Sequence, residues 1–454
     1  MNFYQSILII LSGMVIDKIN ASVYPYWSNA PLYCKARLAP QGTTLLSSNA
    51  PVTQQLAALS NNAVSNWSIN QRLGSAGTLQ VTLPANLALL SGTLPIEPNG
   101  SLVVAGTIGS FLTFHGLLTR YFANATLDTS FGTNGLLYIN FPSDGGFTSL
   151  SCYCSDGSGG YYVGGYSNHA ANQAGIAHVS SSGTIDTGFG TNGYVQPVGL
   201  AKVVAVAVQS TGDLVYCASS GANLSLHRLL PTGTVDSSFT IYSSFITGTN
   251  TVACTIDSED RIVVVMTKGA DTYVYRINAN GGSIDPTFNG GNYYRVTFTQ
   301  LSAVQTLADN SILVAGNATD DLYVLKLTST GTPDSSFATN GVFRNIIFPG
   351  GGTVGNTISL LPGGNIAIAG SGVPAAGSQR YVVVVLNSNG NFDSYFSIPT
   401  QTAPTGPGSA AFQIPAGTAS YANLVGYQTS GNNLIVIGSP GDTTFGMQFY
   451  VVGG

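Results

Sequence analysis

The chain has 454 residues, 44% of them apolar and only 7% charged, with 56 glycines and a formal net charge of −5 from 14 basic and 19 acidic side chains. Against a usual charged fraction of about 25%, this scarcity excludes a basic nucleic-acid face and a highly charged disordered chain. Two Glu and five Lys are too few for a coiled coil or helical bundle, and the length gives a prior of about three domains.

The N-terminus opens with an apolar run over residues 6–16. Cleavage after Ala21 satisfies the small-residue rule, so 1–21 reads as a signal peptide of a secreted protein, although no Lys or Arg precedes the run. The competing reading is a buried N-terminal strand or helix. The run is too short to span a membrane, and no later stretch reaches about 18 uninterrupted apolar residues. Residues 22–65 are rich in Ala, Asn, Ser and Pro, and 54–64 suits a weak helix. They read as a loose lead-in or as an arm for assembly, with the aromatics of VYPYW at 23–27 as anchors.

From about residue 66 onward the chain repeats. The motif G-T-x-D-x-x-F occurs at 125–131 (with Ala125 in the Gly place), 183–189, 233–239, 282–288, 331–337 and 390–396, and in a worn copy at 77–83 where Gln80 and Leu83 replace Asp and Phe. The six Asp residues, Asp128, Asp186, Asp236, Asp285, Asp334 and Asp393, are spaced by 58, 50, 49, 49 and 59 residues. Between copies run four strand-like segments: a short β-rich stretch such as 136–141, a buried stretch such as 202–208, the regular strand of SILVAG type, and a strand leading back to the motif. Seven instances of each can be counted, the last set at 411–414, 420–426, 433–438 and 446–452. Four antiparallel strands per 50-residue unit predict an all-β, seven-bladed β-propeller over 66–454. The chain stops before an eighth motif, so residues 72–83 are expected to complete the last unit and close the ring.

Each motif position has a physical reading. The Asp side chain accepts hydrogen bonds from its own turn, and the Gly three residues earlier supplies a positive φ. The Phe residues, Phe131, Phe189, Phe239, Phe288, Phe337 and Phe396, read as wedges between blades. A basic residue stands eight positions before the Asp: Arg72 (before Gln80), Arg120, His178, Arg228 and Lys326, with Arg276 nine before Asp285 and Val385 in the sixth unit. Such a set is either a ring of cations for anionic ligands or a set of partners for the motif carboxylates. The second is preferred because buried charge needs a partner.

The stretches 120–135, 178–193 and 327–341, with the pattern LD-x-SFG-x-x-G following a VAG strand, resemble the delta-60 repeat, a bacterial β-propeller-type repeat. The resemblance covers about residues 66–454 and implies a secreted or surface protein with no catalytic residues. Units three, four and six lack the GTNG tail.

No nucleophile–base pair, zinc motif or phosphate loop is visible, so no catalytic residue, cofactor or metal is assigned. The acidic clusters Asp320–Asp321 and 257–260 read as solvated turns rather than Ca²⁺ sites. Of five cysteines, Cys152 and Cys154 share one strand face, and buried free thiols are expected, with a Cys34 disulfide left open. Six N-x-[ST] sequons occur, at Asn20, Asn66, Asn99, Asn124, Asn223 and Asn317. The functional expectation is a non-enzymatic, extracellular or cell-surface structural protein that self-associates through 22–65, with no nucleic-acid partner. The alternative is a monomeric propeller binding glycans or proteins.

Overall fold

In the computed structural model the described residues are 4–11, 14–22, 68–69, 78–81, 87–90, 92–110, 113–124, 126–142, 147–168, 172–248, 251–348, 352–373, 379–394, 396, 409–412, 420–428, 433–440 and 447–453. Among them the only helix is one 3-10 turn at Pro362–Gly364, and none is long and apolar enough to cross a membrane. Residues Tyr4–Leu11 and Met14–Ser22 pair as an antiparallel hairpin that joins no other sheet. The arm over 22–65, its expected helix at 54–64, Arg72 and Cys34 lie outside the described residues, apart from Ser22 at the hairpin's end.

Seven further sheets follow in chain order. The first is built from Leu87–Leu89, Leu102–Ser110, Thr113–Tyr121 and Leu136–Ile139. The second comprises Thr148–Ser155, Tyr161–Asn168, Asn172–Val179 and Tyr194–Val195. The third has three strands, Lys202–Val208, Leu214–Ser220 and Asn223–Leu229, plus a single bridge from Leu226 to Tyr242. The fourth is Thr251–Ile256, Ile262–Lys268, Asp271–Ile277 and Tyr294–Val296. The fifth is Gln300–Thr306, Ile312–Ala318, Asp321–Leu327 and Val342–Asn345. The sixth is Thr353–Leu360, Ile366–Gly372, Arg380–Leu386 and Ser409–Phe412.

The seventh sheet draws on both ends of the repeat region. Ser420–Gln428, Asn433–Pro440 and Met447–Gly453 form its body. Thr78–Val81, from the worn motif copy, pairs antiparallel with the start of the last strand, Gln80 opposite Gln448, and Ser68–Ile69 pairs with its end. On the opposite edge Gly92–Thr93 leaves the first sheet and pairs in parallel with Leu424–Val425.

The strands group differently from the sequence expectation in one respect. Each short β-rich run closes the sheet it has just left rather than opening the next: Leu136–Ile139 pairs back onto Gly116–Thr119, and Ser409–Phe412 belongs to the sixth sheet, not the seventh. In the first, second and fifth units the motif tail makes the reversal. Asn134 and Gly135, Asn192 and Gly193, and Asn340 and Gly341 all take positive φ, two left-handed residues in succession that turn the chain back on itself. The third unit lacks this tail, and its outer strand shrinks to the one bridge at Tyr242.

Middle strands such as Ile262–Lys268, apolar from Ile262 to Met266, can run apolar on both faces because both sheet faces are covered. Among the described residues the core divides into seven clusters, each shared by neighbouring sheets. One of them unites Leu424, Ile435 and Ile437 of the seventh sheet with Leu102, Val104 and Leu117 of the first. The six motif Phe side chains are buried, each in a different one of the remaining six clusters.

The motif Gly is bound by two constraints. Gly331 has φ +79°, and an added Cβ would lie 2.6 Å from the Phe288 ring of the preceding unit. Gly157, with φ +81° on the second sheet's hairpin, faces open space. Gly157→Ala should therefore cost about 1 kcal/mol through backbone strain alone, and Gly331→Ala clearly more. Equal losses in urea unfolding midpoints would show that the Gly–Phe contact contributes nothing.

Candidate functional site

The six motif loops lie on one side of the sheets and share one hydrogen-bonding scheme. The Asp N–H donates to the carbonyl of the residue in the basic slot: Asp128 to Arg120 at 2.9 Å, Asp285 to Arg276 at 2.8 Å, and Asp393 to Val385 at 2.9 Å. Backbone closure thus sets the interval, eight residues in most units and nine at Asp285, even where the slot holds valine. The carboxylate then accepts the N–H two residues on, as from Ser130 at 3.0 Å, Ser238 at 2.8 Å and Thr287 at 2.9 Å.

The slot side chain meets the same carboxylate. Arg120 Nε donates to Asp128 at 2.7 Å, Arg228 Nε to Asp236 at 2.7 Å and Arg276 Nε to Asp285 at 2.8 Å. His178 Nδ1 lies 2.8 Å from Asp186, and Lys326 Nζ 2.9 Å from Asp334. In the sixth sheet, where the slot holds Val385, Asn365 Nδ2 donates to Asp393 at 3.0 Å. The cations also lie over the motif Phe rings: Arg120 over Phe131 at 4.8 Å, Arg228 over Phe239 at 5.0 Å, Arg276 over Phe288 at 5.1 Å and Lys326 over Phe337 at 6.0 Å. His178 takes a tilted position against Phe189. Each described Arg and Lys of this set is thus held by a carboxylate and an aromatic face.

A second slot was not singled out in the sequence. Glu97, Asp156, Gln209 and Asp257 begin equivalent turns between the first and second strands. Glu97 stands 3.8 Å from Arg120, Asp156 3.1 Å from His178, and Gln209 Oε1 accepts from Arg228 at 2.9 Å. Asp257 holds Arg261 at 2.8 Å, and Arg261 reaches Asp285 at 3.4 Å. Asp257 is accordingly buried, not the solvated turn residue expected, and Asp321 pairs with Arg344. Gln428 occupies the same position in the seventh sheet, and its Nε2 donates to the carbonyls of Gly100 and Ala123 in the first, as Gln209 does to Asp260 and Ala279 in the fourth.

The loops also bond to one another. The residue after the motif Phe donates its N–H to the next loop: Gly132 to Ser182 at 2.9 Å, Gly190 to Thr232 at 2.8 Å, Thr240 to Asn280 at 3.0 Å, Asn289 to Thr330 at 2.8 Å and Ala338 to Asn389 at 2.7 Å. Five successive seams, from the first sheet to the sixth, are stitched this way.

A cavity of about 690 Å³ lies among the innermost strands of the second to fifth sheets, with Asn356 of the sixth also on its wall. Side chains reaching its wall include Cys152, Cys154, Cys254, Gln305 and Asn356, and every lining residue is uncharged. β-bulges after Leu150, Val203 and Gly355 place Ser151, Val204 and Asn356 on this wall. Of the four described thiols, half-buried Cys152, Cys154 and Cys254 line the cavity, and Cys217 is fully buried. A smaller hollow of about 420 Å³ between the first and second sheets is walled by Phe114, Phe147 and Tyr166. No cluster of His, Cys, Asp and Glu suited to a metal occurs among the described residues.

The sequence profile of a family described as "Domain of unknown function (DUF5122) beta-propeller" matches residues 307–337 and 362–396, within the fifth and sixth sheets. A search of curated proteins finds no match. Among solved structures, the chain is similar to the polysaccharide lyase Uly1 at 10% identity and TM-score 0.45, over 86% of this chain and 96% of that one. It is similar to the PQQ-bound aldose sugar dehydrogenase from Streptomyces coelicolor at 14% identity and TM-score 0.40, over 64% and 92% of the two chains. Similarity to a prolyl endopeptidase, at 12% identity and TM-score 0.41, covers 78% of this chain and 45% of that one. The antiparallel sheets, the cores between them and the family match together describe a β-propeller fold.

Arg276 is fully buried, and burial together with nearby Arg261 pulls its guanidinium below the ordinary value. Asp285→Asn should strand that charge and cost about 3–5 kcal/mol, whereas Asp393→Asn, opposite neutral Asn365, should cost only about 1 kcal/mol. Chemical denaturation of the two variants checks the contrast. The Asp236 and Asp334 carboxyls are held below their usual range by the Ser238 and Ser336 hydroxyls, then by further hydrogen bonds that include Arg228 and Lys326. Because the native values lie below the unfolded ones, their contribution is complete above about pH 4 and fades as pH falls through the native values. Melting temperature should be flat from neutral pH to about 5 and drop below about 4, with a shallower drop in Asp236→Asn.

Proposed function

We propose that the seven sheets form one closed propeller of delta-60 type that performs no catalysis and serves as an extracellular or surface scaffold, associating with its own copies through residues 22–65. The observation that carries the non-catalytic reading is the use of charge. Every described basic side chain of the repeat slot is engaged by its motif carboxylate, and the cavity wall carries no Asp, Glu, His, Lys or Arg. General acid–base work most often uses His, Asp, Glu or Lys facing the reacting atoms, and in the repeat these groups face each other instead.

Closure is supported at the seam between last and first sheets by Thr78–Val81 on the outer edge, Gly92–Thr93 on the inner edge and the shared apolar cluster. A surface location is supported by the leader-like run over 6–16. Self-association is supported by composition: with 7% charged residues, little electrostatic repulsion keeps copies apart. A second reading, a monomeric glycan-binding module, draws on the hollow walled by Phe114, Phe147 and Tyr166, whose ring faces suit sugar stacking.

Light scattering and electron microscopy of the full chain and of a variant lacking 22–65 separate the two. The scaffold reading expects concentration-dependent assemblies of the full chain that disappear in the variant. Monomers in both, with saturable glycan binding lost in Tyr166→Ala, would replace it with the second reading.

A further inference from the structure

The side of the sheets away from the motif loops holds the hairpins between second and third strands and the connections that carry the chain from one sheet to the next. Three of those connections turn an apolar side chain outward. Val198 precedes the third sheet and is 95% exposed, Phe298 precedes the fifth and is 76% exposed, and Ile346 precedes the sixth and is 50% exposed. Burial is available in connections of this kind, since Phe141, Phe245 and Ile347 take it.

Phe298 is also held in a left-handed backbone, with φ +58°, a region costly for a bulky side chain. Its N–H donates to Asp271 Oδ1 at 3.2 Å, and the same carboxylate accepts from Arg295 Nε at 3.0 Å. In the connection before the third sheet, the left-handed residue beside Val198 is Gly199, with φ +77°. A phenylalanine that takes a glycine's conformation and stays three-quarters exposed gains little packing in return, which marks a site kept for contact with something else.

Charge is divided between the two sides. From the third sheet to the sixth, acidic side chains outnumber basic ones nine to four on the motif side, and basic ones outnumber acidic five to three on the other. On this second side Asp271 and Asp321 are tied to Arg295 and Arg344. Lys268 is exposed, and Lys202 lies over the Tyr166 ring at 5.3 Å; neither joins an ion pair among the described residues.

We propose that this side of the third to sixth sheets docks on an anionic lipid surface, with Val198, Phe298 and Ile346 entering the interfacial layer and Lys202 and Lys268 supplying attraction to the headgroups. The apolar tips stand one per connection, separated along the arc of sheets. A bilayer receives isolated tips without the shape complementarity that a folded partner would need, and surplus basic charge favours anionic lipid. Docking depends on neither the arm over 22–65 nor closure of the ring. It needs only the four sheets side by side, and a shared apolar core joins each neighbouring pair of them.

The test is cosedimentation of the full chain with vesicles of phosphatidylcholine alone and of phosphatidylcholine containing one quarter phosphatidylglycerol. Binding should favour the mixed vesicles and weaken as salt is raised. Phe298→Gly should lower partitioning at least about tenfold, while its melting temperature stays equal or rises, because glycine accepts a positive φ freely. Val235, 74% exposed on the motif side, is the control, and Val235→Ser should bind as the wild type does. A folded chain that stays off the mixed vesicles would overturn the proposal. So would undiminished binding by Phe298→Gly, or an equal loss in Val235→Ser. Self-association that is lost in Phe298→Gly, with no vesicle binding by the wild type, would assign the surface to a second copy instead.

Discussion

A sheet with apolar side chains on both faces cannot exist alone in water, and the carboxylate of the repeated motif is what allows these sheets to stand side by side. The Asp closes its own loop through backbone N–H groups, and in five sheets it fixes a basic side chain that covers the ring of the motif Phe. That ring fills the seam to the next sheet, where the next motif Gly lies against it. One small loop therefore does three things: it ends a strand, neutralises a buried cation and aims a wedge. The burial of each Phe contributes about 1.5–3 kcal/mol, but only if the loop holds the ring in place.

Seams differ in how they are held. Those from the first sheet to the sixth share the loop-to-loop backbone bond. The seam between seventh and first sheets uses other means: Thr78–Val81 on the outside, Gly92–Thr93 on the inside and Gln428 reaching two carbonyls. The segment that pairs with Leu424–Val425 is a detour of the first sheet's own innermost strand, which resumes with the Ile96–Leu102 bridge. The detour takes up space beside the seventh sheet, and the open cavity lies toward the second to fifth sheets.

The motif was readable because its loop geometry demands particular residues: an acceptor at Asp236, a left-handed residue at Gly233, a ring at Phe239. The second slot was not readable for the opposite reason. Its place in the hairpin is constant, yet Glu97, Gln209, Leu307 and Leu361 all occupy it, because the demand is for a turn and not for one chemistry. A position five residues before the second strand was the available signal. The strand grouping misled at the short runs, since whether 136–139 turns back depends on the positive φ of Asn134 and Gly135, and linear order carries no such information. The cavity was hidden because its wall is assembled from residues such as Cys152, Cys254 and Asn356, about 100 to 200 positions apart, which meet only when innermost strands converge.

The central claim is that the sheets form one closed, mutually supporting ring, and native-state hydrogen exchange tests it most directly. In a closed ring, the amides of Thr78–Val81 and Met447–Gly453 share the cooperative opening of Ile262–Lys268, with protection free energies within about 1 kcal/mol of one another. Exchange of the seventh and first sheets through a separate opening several kcal/mol lower, while the fourth sheet stays protected, would contradict the account.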